Sequence, residues 1–196
     1  MVGLRPKGDL YTAGVAIEQE IKVPVSGLDP VRERLAQAGA ALEKSLTFEK
    51  NWVLDDDDGS LRRSGRLLRL RRWGDVWTLT FKGPASFADG VKSREELETG
   101  VADGEETLAL FSALGFAPIR RYEKRREGWR FAGVVIALDE TPLGCFVELE
   151  GAAEAVLTAA VTLGLDPSQA VVGSYLDLWL AHRERHPGTP VDMVFP

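Results

Sequence analysis

Cysteine is nearly absent from this 196-residue sequence, as are several features that would assign the chain to other classes of protein. Cys145 is the only cysteine, so an intrachain disulfide is excluded and nothing points to an oxidising compartment. No apolar run approaches the roughly 20 residues that span a bilayer. Residues 1–14 mix charged residues with glycines and lack the apolar core of a signal peptide. We therefore expect a cytoplasmic protein without a membrane partner.

A surplus of basic residues is lacking as well. The formal net charge is −6, from 30 acidic and 24 basic residues. Proteins that bind duplex nucleic acid usually carry a basic surplus that displaces phosphate counterions, so no nucleic-acid partner is expected. An acidic chain can still bind a small anion if its basic residues are gathered in one place. The placement of the charges therefore matters more than their sum.

Nothing in the composition divides the chain into parts. There is no Ser/Gly-rich linker, and the 44% of hydrophobic residues suffices for one substantial core. We predict a single domain over residues 1–196, with a core at about residues 15–185 and flexible tails at both ends. The oligomeric state stays open, with a homodimer as one option.

Strand-like patterns dominate the sequence. Runs of alternating polarity predict strands at Val15–Val23, Thr47–Leu54, Leu67–Arg72, Val76–Lys82, Lys92–Glu98, Arg120–Glu127, Gly133–Asp139 and Phe146–Glu150. Helical periodicity appears at Asp29–Ala38, Glu105–Leu114, Ala153–Leu163 and Ser174–Arg183, and the first three of these segments run into a glycine. Eight strands with a few helices predict an α+β fold: a closed eight-stranded antiparallel β-barrel with helices packed outside.

The predicted strands collect charged residues on one face. Alternate residues of a strand point to the same side, so Glu18, Glu20 and Lys22 oppose Ile17 and Ile21. The same parity gives seven carboxylates (Glu18, Glu20, Glu96, Glu98, Asp139, Glu148, Glu150) and seven bases (Lys22, Arg69, Arg71, Lys82, Arg94, Lys124, Arg126).

Two interpretations fit these faces. In the simpler one, they are the solvated side of a half-exposed sheet. The pattern Glu-x-Glu, which occurs three times, argues against this interpretation. Two carboxylates so near each other repel unless a positive charge lies between them. Arginine forks also suit phosphate oxygens. A triphosphate with divalent metal ions requires both signs of charge in one cavity, which favours an enclosed site.

The opening Glu18-x-Glu20-x-Lys22 resembles the signature of the CYTH superfamily, the triphosphate tunnel metalloenzymes. The resemblance extends from Ile17 to about Trp179. Seven further segments are similar and follow the family's order: NWVLDD, LLRLR, LTFKGP, SREELE, YEKRRE, IALDETPLGCFVELEG and SYLDLW.

The resemblance implies a tunnel of eight antiparallel strands with the active site inside. It implies Mg²⁺ or Mn²⁺ held by Glu18, Glu20, Glu148 and Glu150, with Asp139 as a further ligand. It also implies phosphate binding by Lys22, Arg69, Arg71, Lys82, Arg94, Lys124 and Arg126, of which we assign Lys22, Arg69, Arg71 and Lys82 to catalysis. Glu96 and Glu98 belong to the same face, either as metal ligands or as residues that position bases.

Three functions are compatible with this site. The first is metal-dependent hydrolysis of a small triphosphate substrate: inorganic tripolyphosphate, thiamine triphosphate or a nucleoside triphosphate. The second is class IV adenylate cyclase activity, because LGCFVELEG and SYLDLW resemble proteins of that name. The third is a non-catalytic nucleotide- or polyphosphate-binding module, which the presence of all the metal glutamates disfavours.

Two other patterns are set aside. Asp55–Asp58 before Gly59 is not a calcium loop, because an EF-hand would need its first ligand where Leu54 stands. His182 and His186 have the spacing of metal ligands on a helix, but no third ligand is evident.

Overall fold

A computed structural model of the chain describes residues 16–88 and 91–196, with the side chains of residues 19–87 and 91–196. Within these residues one antiparallel sheet contains β1 (Ala16–Val25), β2 (Ala41–Asp55), β3 (Leu67–Trp73), β4 (Val76–Lys82), β5 (Ser86–Ala88), β6 (Val91–Val101), β7 (Ala117–Phe131), β8 (Val134–Thr141) and β9 (Gly144–Glu150). The strand order is β1-β9-β8-β7-β2-β3-β4-β6, and β1 also pairs with β6. The eight strands therefore close into the predicted barrel, and β5 adds a short extra strand along β6.

The helices lie outside the barrel, as predicted. They are α1 (Asp29–Gln37), α2 (Ser60–Arg63), α3 (Gly104–Ala113), α4 (Ala153–Thr162) and α5 (Tyr175–Arg185), with a 3-10 turn at Pro167–Gln169. The four predicted helices are confirmed, with ends within two residues of the expected positions. In the described part of the chain, no helix combines the length and the apolar character needed to cross a membrane. Residues 1–15, which include the expected N-terminal tail and the first residue of the first predicted strand, lie outside the described residues.

Two short elements, α2 and β5, are not among the predicted helices and strands. The Asp55 carboxylate at the end of β2 accepts hydrogen bonds from the backbone N–H groups of Leu61 and Arg62, both at 3.0 Å. Asp56 accepts another from the N–H of Ser60 at 2.8 Å. These acceptors satisfy the free N–H groups of a single helical turn, which is too short to show periodicity.

The apolar core lies between the outside of the barrel and the helices. Val31 and Leu35 of α1, Val156 and Ala160 of α4, and Leu163 directly after α4 are buried against outward-facing strand residues. These strand residues are Ile21, Val23, Ile136, Leu138, Val147 and Leu149. Burying a Leu or Ile side chain contributes about 1.5–3 kcal/mol. The apolar faces are therefore held outward, under the helices, and the opposite faces of the same strands point into the barrel.

A second cluster packs across one end of the barrel. It contains Val53, Tyr122, Phe146, Tyr175, Trp179 and Met193. The Met193 N–H donates to the carbonyl of Arg121 at 3.0 Å, and its carbonyl accepts from the N–H of Glu123 at 2.8 Å. β8 pairs with β7 only from Arg125 onward, so the earlier edge of β7 is open to this contact. The segment beyond Arg185, expected as a flexible tail, thus contacts the barrel through Met193.

Candidate active site in the barrel cavity

The barrel encloses a cavity of about 550 Å³ whose lining is dominated by charged residues. The predicted site residues that line it are Glu20, Lys22, Arg69, Arg71, Lys82, Arg94, Glu96, Glu98, Lys124, Arg126, Glu148 and Glu150. Asp139 lies behind this surface, and its side chain is completely buried. The Glu18 side chain lies outside the described residues. The charged faces therefore meet in one enclosed space.

The β1–β9 pair brings opposite charges together. Lys22 lies opposite Glu148 in the register of the two strands, and its Nζ is 3.2 Å from Glu148 Oε1. Lys22 also donates to the carbonyl of Gly173 at 3.2 Å. Burial alone would lower the pKa of Lys22, but Glu148 and Glu20 outweigh it and raise the pKa above its ordinary value. Lys22 is therefore a permanent cation.

Glu148 is the acidic centre of this wall. It contacts Arg126 on β7 as well as Lys22. Burial alone would raise the pKa of Glu148, but Arg126, Lys124 and Lys22 outweigh burial and hold it well below its ordinary value. Glu148 is therefore ionised at any physiological pH, as a ligand for a cation must be.

Asp139 holds the bases of β7 from behind. Its oxygens accept from Arg126 Nε and Nη2 at 2.7 and 2.6 Å, from Lys124 Nζ at 3.1 Å and from the Tyr175 hydroxyl at 2.6 Å. Burial and the nearby Asp139 carboxylate raise the pKa of Tyr175 well above its ordinary value, so this phenol remains a donor. Metal binding by Asp139 stays a prediction, and in this arrangement its oxygens accept four hydrogen bonds from three residues.

On the opposite wall, formed by β3, β4 and β6, the arginines are as buried as Arg126, but the carboxylate beside them is more exposed. Arg71 Nη2 lies 3.3 Å from Glu98 Oε1, and Arg69 Nη2 lies 4.0 Å from Glu98 Oε2. The Glu98 side chain is 41% exposed. Lys82 and Glu96 form a shorter pair at 2.8 Å. Glu96 and Glu98 thus contact bases, which is one of the two roles considered for them.

Arg94 is directed by the main chain of two loops. Its Nε donates to the carbonyl of Gly83 at 3.0 Å, and its Nη2 lies 3.4 Å from the carbonyl of Gly65. Gly65 adopts a positive φ of 69°, which other residues rarely adopt. The loops after α2 and β4 therefore hold this guanidinium at one end of the cavity.

The carboxylates near the β1–β9 edge suit a divalent cation. Glu20 and Glu150 lie directly opposite each other in the strand register, where like charges repel, and both line the cavity. Carboxylate oxygens are the ligands that Mg²⁺ and Mn²⁺ prefer, so the donor atoms of these two residues and of Glu148 have the chemistry that such an ion requires, although they do not converge on one point in this arrangement. Glu20 contacts Lys92. Among the side chains of residues 19–87 and 91–196, no three Asp, Glu, His or Cys residues are close enough together to hold a metal.

Several residues of the site have no place in the sequence prediction. They are Glu49, Asn51, Lys92, Tyr122 and Tyr175. Lys92 has the same parity as Arg94, so the pattern that selects Arg94 would also have found it. Glu49 and Asn51 precede an apolar run in β2 that obscures the alternation. Tyr122 and Tyr175 are aromatic residues that core packing would also explain.

A second cavity of about 480 Å³ adjoins the first. The two share Leu67, Lys92, Arg94, Ser174 and Leu176 in their linings. The rest of the second lining includes apolar side chains of α5 and the C-terminal segment, among them Trp179, Leu180 and Val191, and the acidic loop Asp55–Asp58. The charged cavity therefore opens towards a less polar space.

A closed barrel with matched acids and bases inside defines a tunnel-type protein with a charged internal cavity. A family model described as the CYTH domain matches residues 16–160. The chain belongs to this family. Its members include adenylate cyclases and triphosphatases, which generally depend on divalent metals, so the chain is an enzyme of this broad kind.

Individual relatives agree with this assignment. A Methanocaldococcus jannaschii protein, provisionally named as an adenylate cyclase, is 32% identical over 136 residues, which is 68% of this chain and 76% of that protein. A structure from Vibrio parahaemolyticus, also provisionally described as an adenylate cyclase, has a TM-score of 0.76 at 19% identity and covers 84% of this chain and 98% of its own. A Hippeastrum protein described as a candidate adenylyl cyclase with a dominant triphosphatase activity has a TM-score of 0.65 at 17% identity, covering 84% and 96%. The two structures support the fold.

Proposed function

We propose that the protein hydrolyses a small triphosphate substrate with the aid of Mg²⁺ or Mn²⁺ inside the barrel cavity. The observation that carries this proposal is the convergence of bases from β1, β3, β4, β6 and β7 on one cavity that also contains facing carboxylates. A linear triphosphate carries several negative charges, and only a cavity with this density of bases would compensate them.

Each group of residues has a proposed task. Glu18, Glu20, Glu148 and Glu150 would hold the metal. When bound, a divalent ion lowers the pKa of a coordinated water and neutralises phosphate charge. Lys22, Arg69, Arg71, Lys82, Arg94, Lys124 and Arg126 would bind phosphate oxygens and stabilise the charge that develops on the leaving phosphate.

For Asp139 we propose a positioning role. Its carboxylate fixes Arg126 through two parallel hydrogen bonds, at 2.7 and 2.6 Å, and orients Lys124 through a third at 3.1 Å. Oriented donors stabilise a transition state more effectively than mobile ones because they need no reorganisation during the reaction. Asp139 would thereby contribute to phosphate binding through these two bases.

The alternative is adenylate cyclase activity, and the second cavity is the observation that favours it. A nucleoside attached to a triphosphate in the charged cavity would find apolar side chains there, such as Trp179 and Leu180. In this reaction the ribose 3′-hydroxyl attacks the α-phosphate and pyrophosphate leaves. The relatives named as cyclases point the same way.

Product analysis separates these functions. Purified protein is incubated with tripolyphosphate, ATP or thiamine triphosphate, each with Mg²⁺ or Mn²⁺, and the products are identified. We expect release of orthophosphate. Cyclic AMP with pyrophosphate would establish the cyclase instead, and binding without any product would establish a non-catalytic module.

Glu20→Gln, which keeps the side-chain size but removes a proposed ligand charge, should lower the rate by orders of magnitude. Activity that survives both EDTA and Glu20→Gln would contradict the metal requirement.

A further inference from the structure

Glu49 is a buried carboxylate that lies behind the bases of the cavity. It belongs to β2, and no part of its side chain is exposed. Its Oε1 lies 3.5 Å from Lys124 Nζ and accepts a hydrogen bond from Asn51 Nδ2 at 2.9 Å. Its Oε2 lies 4.0 Å from Arg126 Nε. The residue does not line the cavity itself, so any effect on a ligand must pass through the bases.

The charge of Glu49 is permanent. Burial alone would raise its pKa, but Lys124, Arg126, Arg71 and Arg69 outweigh burial and lower the pKa to about 2. A buried carboxylate is tolerated only when cations compensate it. Glu49 is therefore an anion at the pH of any cell, surrounded by bases of both cavity walls.

No single base neutralises this anion. Glu49 Oε2 accepts no hydrogen bond from a protein donor in the described part of the chain, and its distances to Lys124 and Arg126 are longer than those of Asp139. Across the β2–β3 pair, Arg69 Nε and Arg71 Nε likewise donate to no described protein acceptor. The Glu49 charge consequently acts through space on several bases at once.

We propose that Glu49 is a positioning residue that offsets part of the positive charge beneath the bound phosphates, weakens phosphate binding and so allows the products to leave. This inference rests on the proposed function, because it takes the ligand of the bases to be a phosphate chain. Four bases without an internal anion would attract phosphate oxygens more strongly, in the ground state and in the product complex alike. Tighter binding of both would slow product release without accelerating the reaction.

The test compares ligand binding by wild type and Glu49→Gln. The amide keeps the size of the side chain and removes only the charge. Isothermal titration with tripolyphosphate and with pyrophosphate should give dissociation constants at least about tenfold lower for the variant, the lower end of coupling measured for close charge pairs. In steady state both KM and kcat should fall. A merely structural role of Glu49 predicts the opposite change in affinity, because a disturbed site binds more weakly.

Two further variants complete the test. Glu123→Gln is the matched control, since Glu123 is on the other face of β7 and pairs with Lys50 at 3.8 Å. It should leave both dissociation constants unchanged. Glu49→Met, an uncharged side chain of similar length, should tighten binding in the same direction and serves if Glu49→Gln does not fold. Unchanged or weaker binding by a folded Glu49→Gln or Glu49→Met would overturn the inference. Wild type that binds neither ligand would overturn the proposed function and the inference with it.

Discussion

The two walls of the cavity use similar residues in different ways. On the wall of β1, β9, β8 and β7, Asp139 accepts hydrogen bonds from three residues at 2.6–3.1 Å, and its side chain is completely buried. On the wall of β3, β4 and β6, Arg71 reaches Glu98 at 3.3 Å, and the Glu98 side chain is 41% exposed. Removing one member of a buried, closely paired set of charges is strongly destabilising. A base next to an exposed carboxylate can exchange that carboxylate for a ligand with little loss of free energy. The bases around Asp139 are therefore preorganised, whereas Arg69 and Arg71 lie beside a carboxylate that is free to rearrange.

The sharpest test of this contrast is Asp139→Asn. The change leaves Arg126, Lys124 and Tyr175 without the carboxylate that they share, and breaking a buried ion pair costs about 3–5 kcal/mol. We expect the free energy of unfolding, measured with urea, to fall by that amount. Glu140→Gln on the same strand is the control, because Glu140 pairs with Arg125 at the surface, where both are more than 40% exposed. It should cost less than about 1 kcal/mol. Equal decreases in the unfolding free energy of the two variants would mean that the buried site of Asp139 and the surface site of Glu140 contribute equally to stability.

Acid should destabilise the protein through the buried carboxylates of the first wall and of β2. Glu49 has a pKa of about 2 in the folded protein against 4.5 for an ordinary glutamate, and the pKa of Glu148 is also well below 4.5. The unfolded chain therefore takes up protons first as the pH falls. The stability from these groups is complete above about pH 5 and is lost as the pH falls towards 2. Urea unfolding between pH 7 and pH 3 should show this loss, and Glu49→Gln should show less of it. Parallel curves for wild type and variant would contradict the lowered pKa of Glu49.

The smallest effect on stability is expected on the second wall. Arg71→Ala should raise KM for the triphosphate about tenfold, equivalent to about 1.4 kcal/mol, because a phosphate-binding fork is lost. The unfolding free energy should fall by less than it does in Asp139→Asn, because Glu98, the partner left behind, is 41% exposed. The neighbouring Arg72 points outward and pairs with the exposed Asp75 at 3.4 Å. Arg72→Ala should leave KM unchanged. A rise in KM in both Arg71→Ala and Arg72→Ala would show that the side of the strand on which an arginine lies does not matter for binding.

Much of the fold and the site follows from alternation along the strands. Arg69 and Arg71 oppose Leu68 and Leu70, and that parity predicts which side chains face the cavity. Alternation does not reveal which side chains face the cavity where a strand is irregular. β2 has register shifts against β7, including one between Val53 and Leu54, and an apolar run from Trp52 to Leu54 obscures its faces. Glu49 therefore escapes prediction although it lies among the bases.

The sequence by itself determined two faces for each strand, the helices that cover one of them, and the family to which the chain belongs. Local side-chain alternation is enough for this, because a strand presents its residues to opposite sides wherever it lies. Only the tertiary structure decided which charges meet. Closure through the β1–β6 pair turns separate charged faces into one cavity, and register places Lys22 beside Glu148 and Glu20 opposite Glu150. The depth of Asp139 and Glu49 behind the bases is likewise a property of the closed barrel, since burial arises from contacts between strands distant in sequence.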